Sequence, residues 1–211
     1  MVTDRRHTEH GNERKQQLLA AAQTLFGSRG YARTRIADIC GEAGVAKGLF
    51  YWYFPTKESL FAELVESMRL QLRRAQATAM DGSSDPITRI RQGTQASVRF
   101  ILDNQSYFAF LDLQRADPTV AAVLEEGSDV YERDILRLIV EAQREGLIAD
   151  GDAHFYAVGV LGAVSSFGYA VRHGRLDLDA DQLAQLVGDW VTNALVAPAA
   201  LPDRGPGGSS R

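Results

Sequence analysis

Residues 43–58 read Ala43-Gly44-Val45-Ala46-Lys47-Gly48-Leu49-Phe50-Tyr51-Trp52-Tyr53-Phe54-Pro55-Thr56-Lys57-Glu58, and the fold is decided by how this stretch is read. Gly44 can adopt the left-handed conformation that closes one helix and lets the next leave steeply. Pro55 disfavours helical backbone at Phe54, so a helix begun near Ala46 ends by Tyr53, after about two turns. Just upstream, Ile36, Ile39, Cys40 and Ala43 recur at the helical period and predict a short helix closed by Gly44. Two short helices joined by Glu42-Ala43-Gly44-Val45 have the form of a helix-turn-helix: a supporting helix, a turn and a recognition helix.

Outward from this pair the helical period continues. Leu18, Ala22, Leu25 and Phe26 predict a first helix from about Glu13 to Ser28, stopping at Gly30. Thr56 can cap a fourth, whose apolar face is Phe61, Leu64, Val65, Met68 and Leu72 and which runs out at Asp81-Gly82-Ser83-Ser84. Asp85-Pro86 and Asp117-Pro118 each pair an N-cap with a first-turn proline, so a helix starts at each, with an aromatic segment from Tyr107 to Gln114 between them. After Gly146 a helix is expected from about Asp152 to Arg172, and Asp179 caps a last one ending near Val196. No run of alternating β-branched residues bounded by turns reads as a strand. The expected fold is all-α: a flexible arm over residues 1–12, a helix-turn-helix head over 13–57, a larger helical bundle over 58–197, and a disordered Pro-, Gly- and Ser-rich tail over 198–211.

Composition narrows the function classes. The chain has 211 residues, 45% of them hydrophobic, enough for a substantial core. A single cysteine, Cys40, rules out an internal disulfide framework and lies on the apolar face of its helix; no cysteine and histidine cluster has zinc spacing. The polar start has no apolar segment behind Arg5 and Arg6, unlike a secretory signal, and the uncharged stretch Phe155 to Val171 falls short of the roughly 20 residues that cross a bilayer. A cytoplasmic protein with no membrane partner is expected. Net charge is -4, yet residues 1–58 hold nine Lys and Arg against six Asp and Glu, so the acidic excess belongs to the rest of the chain. No Ser-His-Asp order, phosphate-binding glycine loop or HExxH motif appears, which argues against an enzyme; no cofactor or metal is expected.

The recognition helix carries chemistry that a purely structural helix would not need. Phe50 and Phe54 are most simply core anchors, but Tyr51, Trp52 and Tyr53 cannot all point inward. Outward-facing tyrosine hydroxyls can donate to phosphate oxygens, and an aromatic body can touch a thymine methyl. Lys47 can reach guanine O6 or N7, and Gly48 lets the backbone approach the groove.

Thr34 to Leu60, above all residues 43–58, resembles the signature of the TetR family of transcriptional regulators, and Leu25-Phe26 through Gly30-Tyr31 matches as well. The resemblance covers about residues 14–65. It implies an α-helical homodimer of about nine helices that binds a palindromic DNA operator, with the last two helices of each chain forming a four-helix bundle with the partner's pair. It places Lys47, Gly48, Leu49, Tyr51, Trp52 and Tyr53 in or beside the major groove, and Lys57 on a phosphate at the start of the fourth helix. Two positions depart from the pattern. Arg35 stands where Ser or Thr usually caps the second helix; Thr34 is expected to take over the cap and free Arg35 for a phosphate or a base. Tyr53 stands where histidine is common.

For the body, Gly159, Ala163, Ser166 and Ala170 form a stripe of small residues that would admit another helix, and Leu183, Leu186, Val187, Trp190 and Ala194 share one face of the last helix. The family resemblance makes these the dimer interface. Aromatic residues gather in the body, and Tyr107, Phe110, Leu111, Gln114, Tyr131 and Phe167 are the candidates for lining a pocket for a small apolar or amphipathic ligand. Arg115, if it lined the cavity, would favour an acidic one. The expected action is repression relieved by that ligand, with the fourth helix as lever. A dimeric helical adaptor that binds protein partners without using DNA remains the competing reading.

Overall fold

In a computed structural model, described for residues 3–114, 117–125 and 129–196, every regular element is an α-helix. The described helices are α1 (Thr3–Arg29), α2 (Ile36–Glu42), α3 (Lys47–Tyr53), α4 (Lys57–Met80), α5 (Pro86–Asp103), α6 (Gln105–Gln114), α7 (Pro118–Glu125), α8 (Asp129–Arg144), α9 (Ala153–Arg172) and α10 (Ala180–Val196). Two expectations are corrected. Helical backbone begins at Thr3, ten residues before Glu13, because backbone bonding extends a nucleated helix without needing an apolar stripe. The stretch between Pro118 and Gly146 holds two helices, α7 and α8, so ten are described where about nine were expected. Gly127-Ser128, a pair with low helix propensity, stands at the junction outside the described residues. The tail expected to be disordered also lies outside them.

The chain forms two compact units, Met1–Arg74 with Phe100–Ser128, and Ala75–Arg99 with Asp129–Arg211. Leu18, Ala22, Leu25 and Phe26 of α1, Ile39 and Cys40 of α2, Phe50 of α3, and Leu60, Phe61 and Leu64 of α4 are buried in one core of the first unit, with Tyr107 and Phe110 of α6. Phe26, Phe61 and Phe110 pack ring on ring: Phe26 stacks on Phe110 at 5.7 Å between centroids, and Phe61 meets both edge-on at 5.9 and 5.8 Å. A buried ring of this kind contributes about 1.5–3 kcal/mol by area alone. The helix-turn-helix therefore rests on a core shared with α1, α4 and α6.

In the second unit α9 packs on α8 and α10. Ala157, Val160, Ala163, Val164 and Gly168 are buried on α9, as are Leu183, Ala184, Val187, Gly188, Val191 and Leu195 on α10. By length and composition α9 could cross a membrane, which the uncharged stretch alone did not suggest, while its buried residues face the helices packed on it within the second unit. A polar rail ties α10 to α5: Arg91 pairs with Asp189, Gln95 donates to Gln185 at 3.2 Å, and Arg99 pairs with Asp181 at 2.6 Å. Gly188 is needed beneath it, since a Cβ there would lie 2.8 Å from Cγ of Gln95.

Candidate nucleic-acid interface

The turn between α2 and α3 is closed by backbone geometry. Gly44 sits at φ +65°, and the N–H of Val45 donates to the carbonyl of Cys40 at 3.0 Å, the six-residue closure of a helix that ends in a left-handed residue. A side chain at Gly44 would be strained by that φ even though the space around it is open. Phe54 leaves α3 in extended conformation, its N–H bonded to the carbonyl of Phe50, as Pro55 requires.

The seven residues of α3 divide by face. Phe50 and, just beyond, Phe54 are buried; Leu49 and Tyr53 are half-buried. Lys47 and Gly48 are exposed, as are Tyr51 at 49% and Trp52 at 74%. A Cβ at Gly48 would meet nothing within 4 Å, so this backbone is open to an approaching surface. The outward aromatics are braced: Tyr51 lies edge-on to Phe50 at 5.5 Å, Trp52 edge-on to Tyr53 at 4.5 Å, and the Lys47 ammonium lies 5.8 Å from the Tyr51 ring centre. Two polar-tipped rings and a cation thus stand on a helix whose opposite face is anchored.

The start of α2 corrects the capping expectation. Thr34 does not cap: it is 1% exposed, and its hydroxyl donates to the carbonyl of Gly30 at 2.8 Å, with that of Leu25 at 3.4 Å. Thr34, also a candidate for contacting DNA, thus presents almost no surface outward. Arg35 is the N-cap residue, and Asp38 closes the turn by accepting from the Arg35 backbone N–H at 3.0 Å. The same carboxylate receives Nε and Nη2 of Arg35 at 3.2 and 3.0 Å, which steers a guanidinium whose side chain is 81% exposed. The Arg35 side chain, then its backbone N–H, hold the Asp38 carboxyl below its ordinary value. Asp38 was missed in sequence, although an acid three residues after a helix start is the capping-box position.

At the start of α4, Thr56 caps as expected: its hydroxyl accepts from Ser59 N–H at 3.1 Å, and the Ser59 hydroxyl accepts from Thr56 N–H at 3.1 Å. Lys57 is half-buried and turned inward, its ammonium donating to the carbonyls of Tyr31 at 2.9 Å and Thr34 at 3.0 Å. Glu58, in the first turn of α4, is held below the usual carboxylate range by its own backbone N–H and then by the Thr56 hydroxyl. Arg35, Tyr51, Thr56, Lys57 and Glu58 line a cleft of about 380 Å³ between these helix ends.

The ligand candidates divide between the units. Tyr107 and Phe110 are buried in the first unit's aromatic core, and Leu111 is half-buried against it. The side chain of Gln114 and all of Arg115 lie outside the described residues. In the second unit Tyr131 is half-buried on α8, and Phe167 meets Trp190 of α10 edge-on at 5.8 Å.

The expected interface stripe also separates into two faces. Ala163, Leu183 and Val187 are buried within the chain, whereas Gly159, Ser166, Leu186, Trp190 and Ala194 are exposed. Phe155 and Val158 join the exposed set at 74% and 59%, beside Gly162. Between Phe155 and Val171 this surface has no charged residue.

Comparison with known proteins matches this architecture. The family model for bacterial regulatory proteins of the tetR family matches residues 18–64, and that for a tetracyclin repressor-like C-terminal domain matches residues 83–169. The HTH-type transcriptional regulator TtgR of Pseudomonas putida is 28% identical over 203 residues, covering 94% of this chain and 86% of TtgR. The HTH-type transcriptional activator FasR of Mycolicibacterium smegmatis is 30% identical over 147 residues, 66% of this chain and 67% of FasR. A solved chain assigned to the tetR family, from Shewanella sp. PV-4, superposes with a TM-score of 0.70 at 26% identity, covering 86% of this chain and 97% of that one.

Proposed function

Because the chain belongs to the TetR family of DNA-binding transcriptional regulators, we propose that it acts as a homodimeric repressor that leaves a palindromic operator when a small apolar or amphipathic ligand binds. The observation that carries this reading is the two-faced α3, with Phe50 buried and Lys47, Gly48, Tyr51 and Trp52 outward. In the major groove, Lys47 donates to guanine, the Tyr51 hydroxyl to a phosphate, and Trp52 covers a base edge or sugar; Leu49 and Tyr53 fill the rim. Arg35, aimed by Asp38, reaches the adjoining backbone. A cytoplasmic location follows from this work on DNA, and the proposed mechanism uses no cofactor.

One short helix reads too few base pairs for a useful site, so two must be paired about 34 Å apart or at a multiple of that spacing. The exposed apolar surface of α9 and α10, centred on Leu186 and Trp190, is the face proposed to join two chains. Ligand control then works by linkage: a ligand that favours a head spacing unsuited to successive grooves weakens operator binding by about 5- to 150-fold for a coupling of about 1–3 kcal/mol.

Selection of bound fragments from genomic DNA, at physiological salt, tests the reading. Wild type should enrich a palindrome that the Lys47→Ala/Tyr51→Ala double variant does not. A folded, dimeric wild type that enriches nothing would remove the support for operator binding.

A further inference from the structure

The end of α1 and the turn into α2 present a cluster of backbone carbonyls, and two side chains hold them. The buried Thr34 hydroxyl takes those of Gly30 and Leu25, and the Lys57 ammonium takes those of Tyr31 and Thr34. Lys57 also lies 4.1 Å from the centre of the Tyr31 ring, which is itself buried against Phe26 and Phe61 at 5.3 and 5.4 Å. The partners of Lys57 lie 26 and 23 residues earlier in the chain. It is the first residue of α4, and Thr34 immediately precedes the N-cap of α2.

A lysine serving only to neutralise a phosphate would extend into solvent. Here two of its three N–H donors are satisfied by the protein, and its charge rests on an aromatic face near the carbonyl end of α1, where a cation is favoured. The contact joins the start of α4 to the turn that precedes α2 within the first unit. We propose that Lys57 is a positioning residue for DNA recognition: it acts on operator affinity by tying the α1–α2 turn to α4, rather than by contacting a phosphate. Reorientation of the first turns of α4 is thereby passed to α2, against which α3 is set. The proposal rests on the operator reading for its effect on affinity, but the tie itself is testable without DNA.

The test combines amide hydrogen exchange over residues 31–38 of the free protein with operator affinity across a salt series, for wild type, Lys57→Met and Lys47→Ala. Loss of the two charge-assisted bonds in Lys57→Met should speed exchange in the turn and lower operator affinity by about tenfold each. The slope of log affinity against log salt should stay at the wild-type value in Lys57→Met, whereas loss of a lysine in contact with a phosphate would lower its magnitude by about one; Lys47→Ala, which removes a base contact, should instead relax sequence preference. A slope lowered by about one in Lys57→Met overturns the proposal, and so does unchanged exchange. If Lys57→Met does not fold, Lys57→Gln keeps an N–H donor for the Tyr31 and Thr34 carbonyls but not the charge. Its salt slope should stay at the wild-type value, and a slope lowered by about one would overturn the proposal. A wild type with no sequence-selective binding would instead sink the operator reading, while exchange would still decide whether the tie exists.

Discussion

Two surfaces of this protein expose large aromatic and aliphatic side chains, and they differ in what surrounds them. On α3, Tyr51 and Trp52 stand beside Lys47 and the open backbone of Gly48. On α9 and α10, Phe155, Val158, Leu186 and Trp190 stand among Gly159, Gly162, Ser165 and Ser166, with no charge between Phe155 and Val171. Exposed apolar area alone marks an interaction surface without naming the partner. A cation and polar-tipped rings suit a phosphodiester groove, whereas small residues between apolar ones let another helix come close. The same kind of exposure thus supports DNA at one place and a second copy of the chain at the other.

The largest effect should come from the buried anchor that makes α3 two-faced. Phe50→Ala should lower unfolding free energy by about 3–5 kcal/mol, read from denaturant midpoints, and should remove operator binding along with it. Retained stability would mean that α3 is not held by this ring. At the second surface, Trp190→Glu should shift the dimer–monomer equilibrium by at least about thirtyfold in sedimentation, as loss of a central interface aromatic does, while the monomer keeps its helical circular dichroism. Unchanged association would show that this face does not join the chains. Tyr51→Phe/Trp52→Ala should do the converse, weakening operator binding by about tenfold with association unchanged and stability within about 0.5 kcal/mol of wild type.

The smallest effect concerns Asp38. Its folded carboxyl titrates below its ordinary value of 3.8, so its contribution to stability is present above that value and is lost as pH falls through the lower folded one. Asp38→Asn should therefore be slightly less stable than wild type at pH 7, with the gap closing on acidification. Urea midpoints at pH 7 and near pH 3 measure this, and an equal gap at both would show that the Arg35 contact does not hold the carboxyl.

Much of the first surface was legible in the order of residues. Phe50 and Phe54 fall inward and Tyr51 and Trp52 outward as a short helix with one buried face demands, and Gly44 and Pro55 bound that helix by restrictions on single residues. The second surface was legible only as composition. The small-residue stripe at Gly159, Ala163, Ser166 and Ala170 reads as one face, yet Ala163 is buried while Gly159 and Ser166 are open, because α8 and α10 together cover one side of α9. Helical spacing records which residues share a side, but the side that remains uncovered depends on where the neighbouring helices pack.

The sequence by itself determined the all-helical class and the helix-turn-helix, since these follow from backbone preferences and periodicity within a few residues, and its motif residues carried the resemblance to the family. Tertiary structure alone decided that Thr34 is buried, that Asp38 rather than Thr34 closes the start of α2, and that Lys57 turns from solvent to the carbonyls of Tyr31 and Thr34. The partners of Lys57 lie more than twenty residues away in the chain. A long, flexible cation has no intrinsic direction, and only the folding of α4 onto the α1–α2 turn supplies the acceptors that give it one.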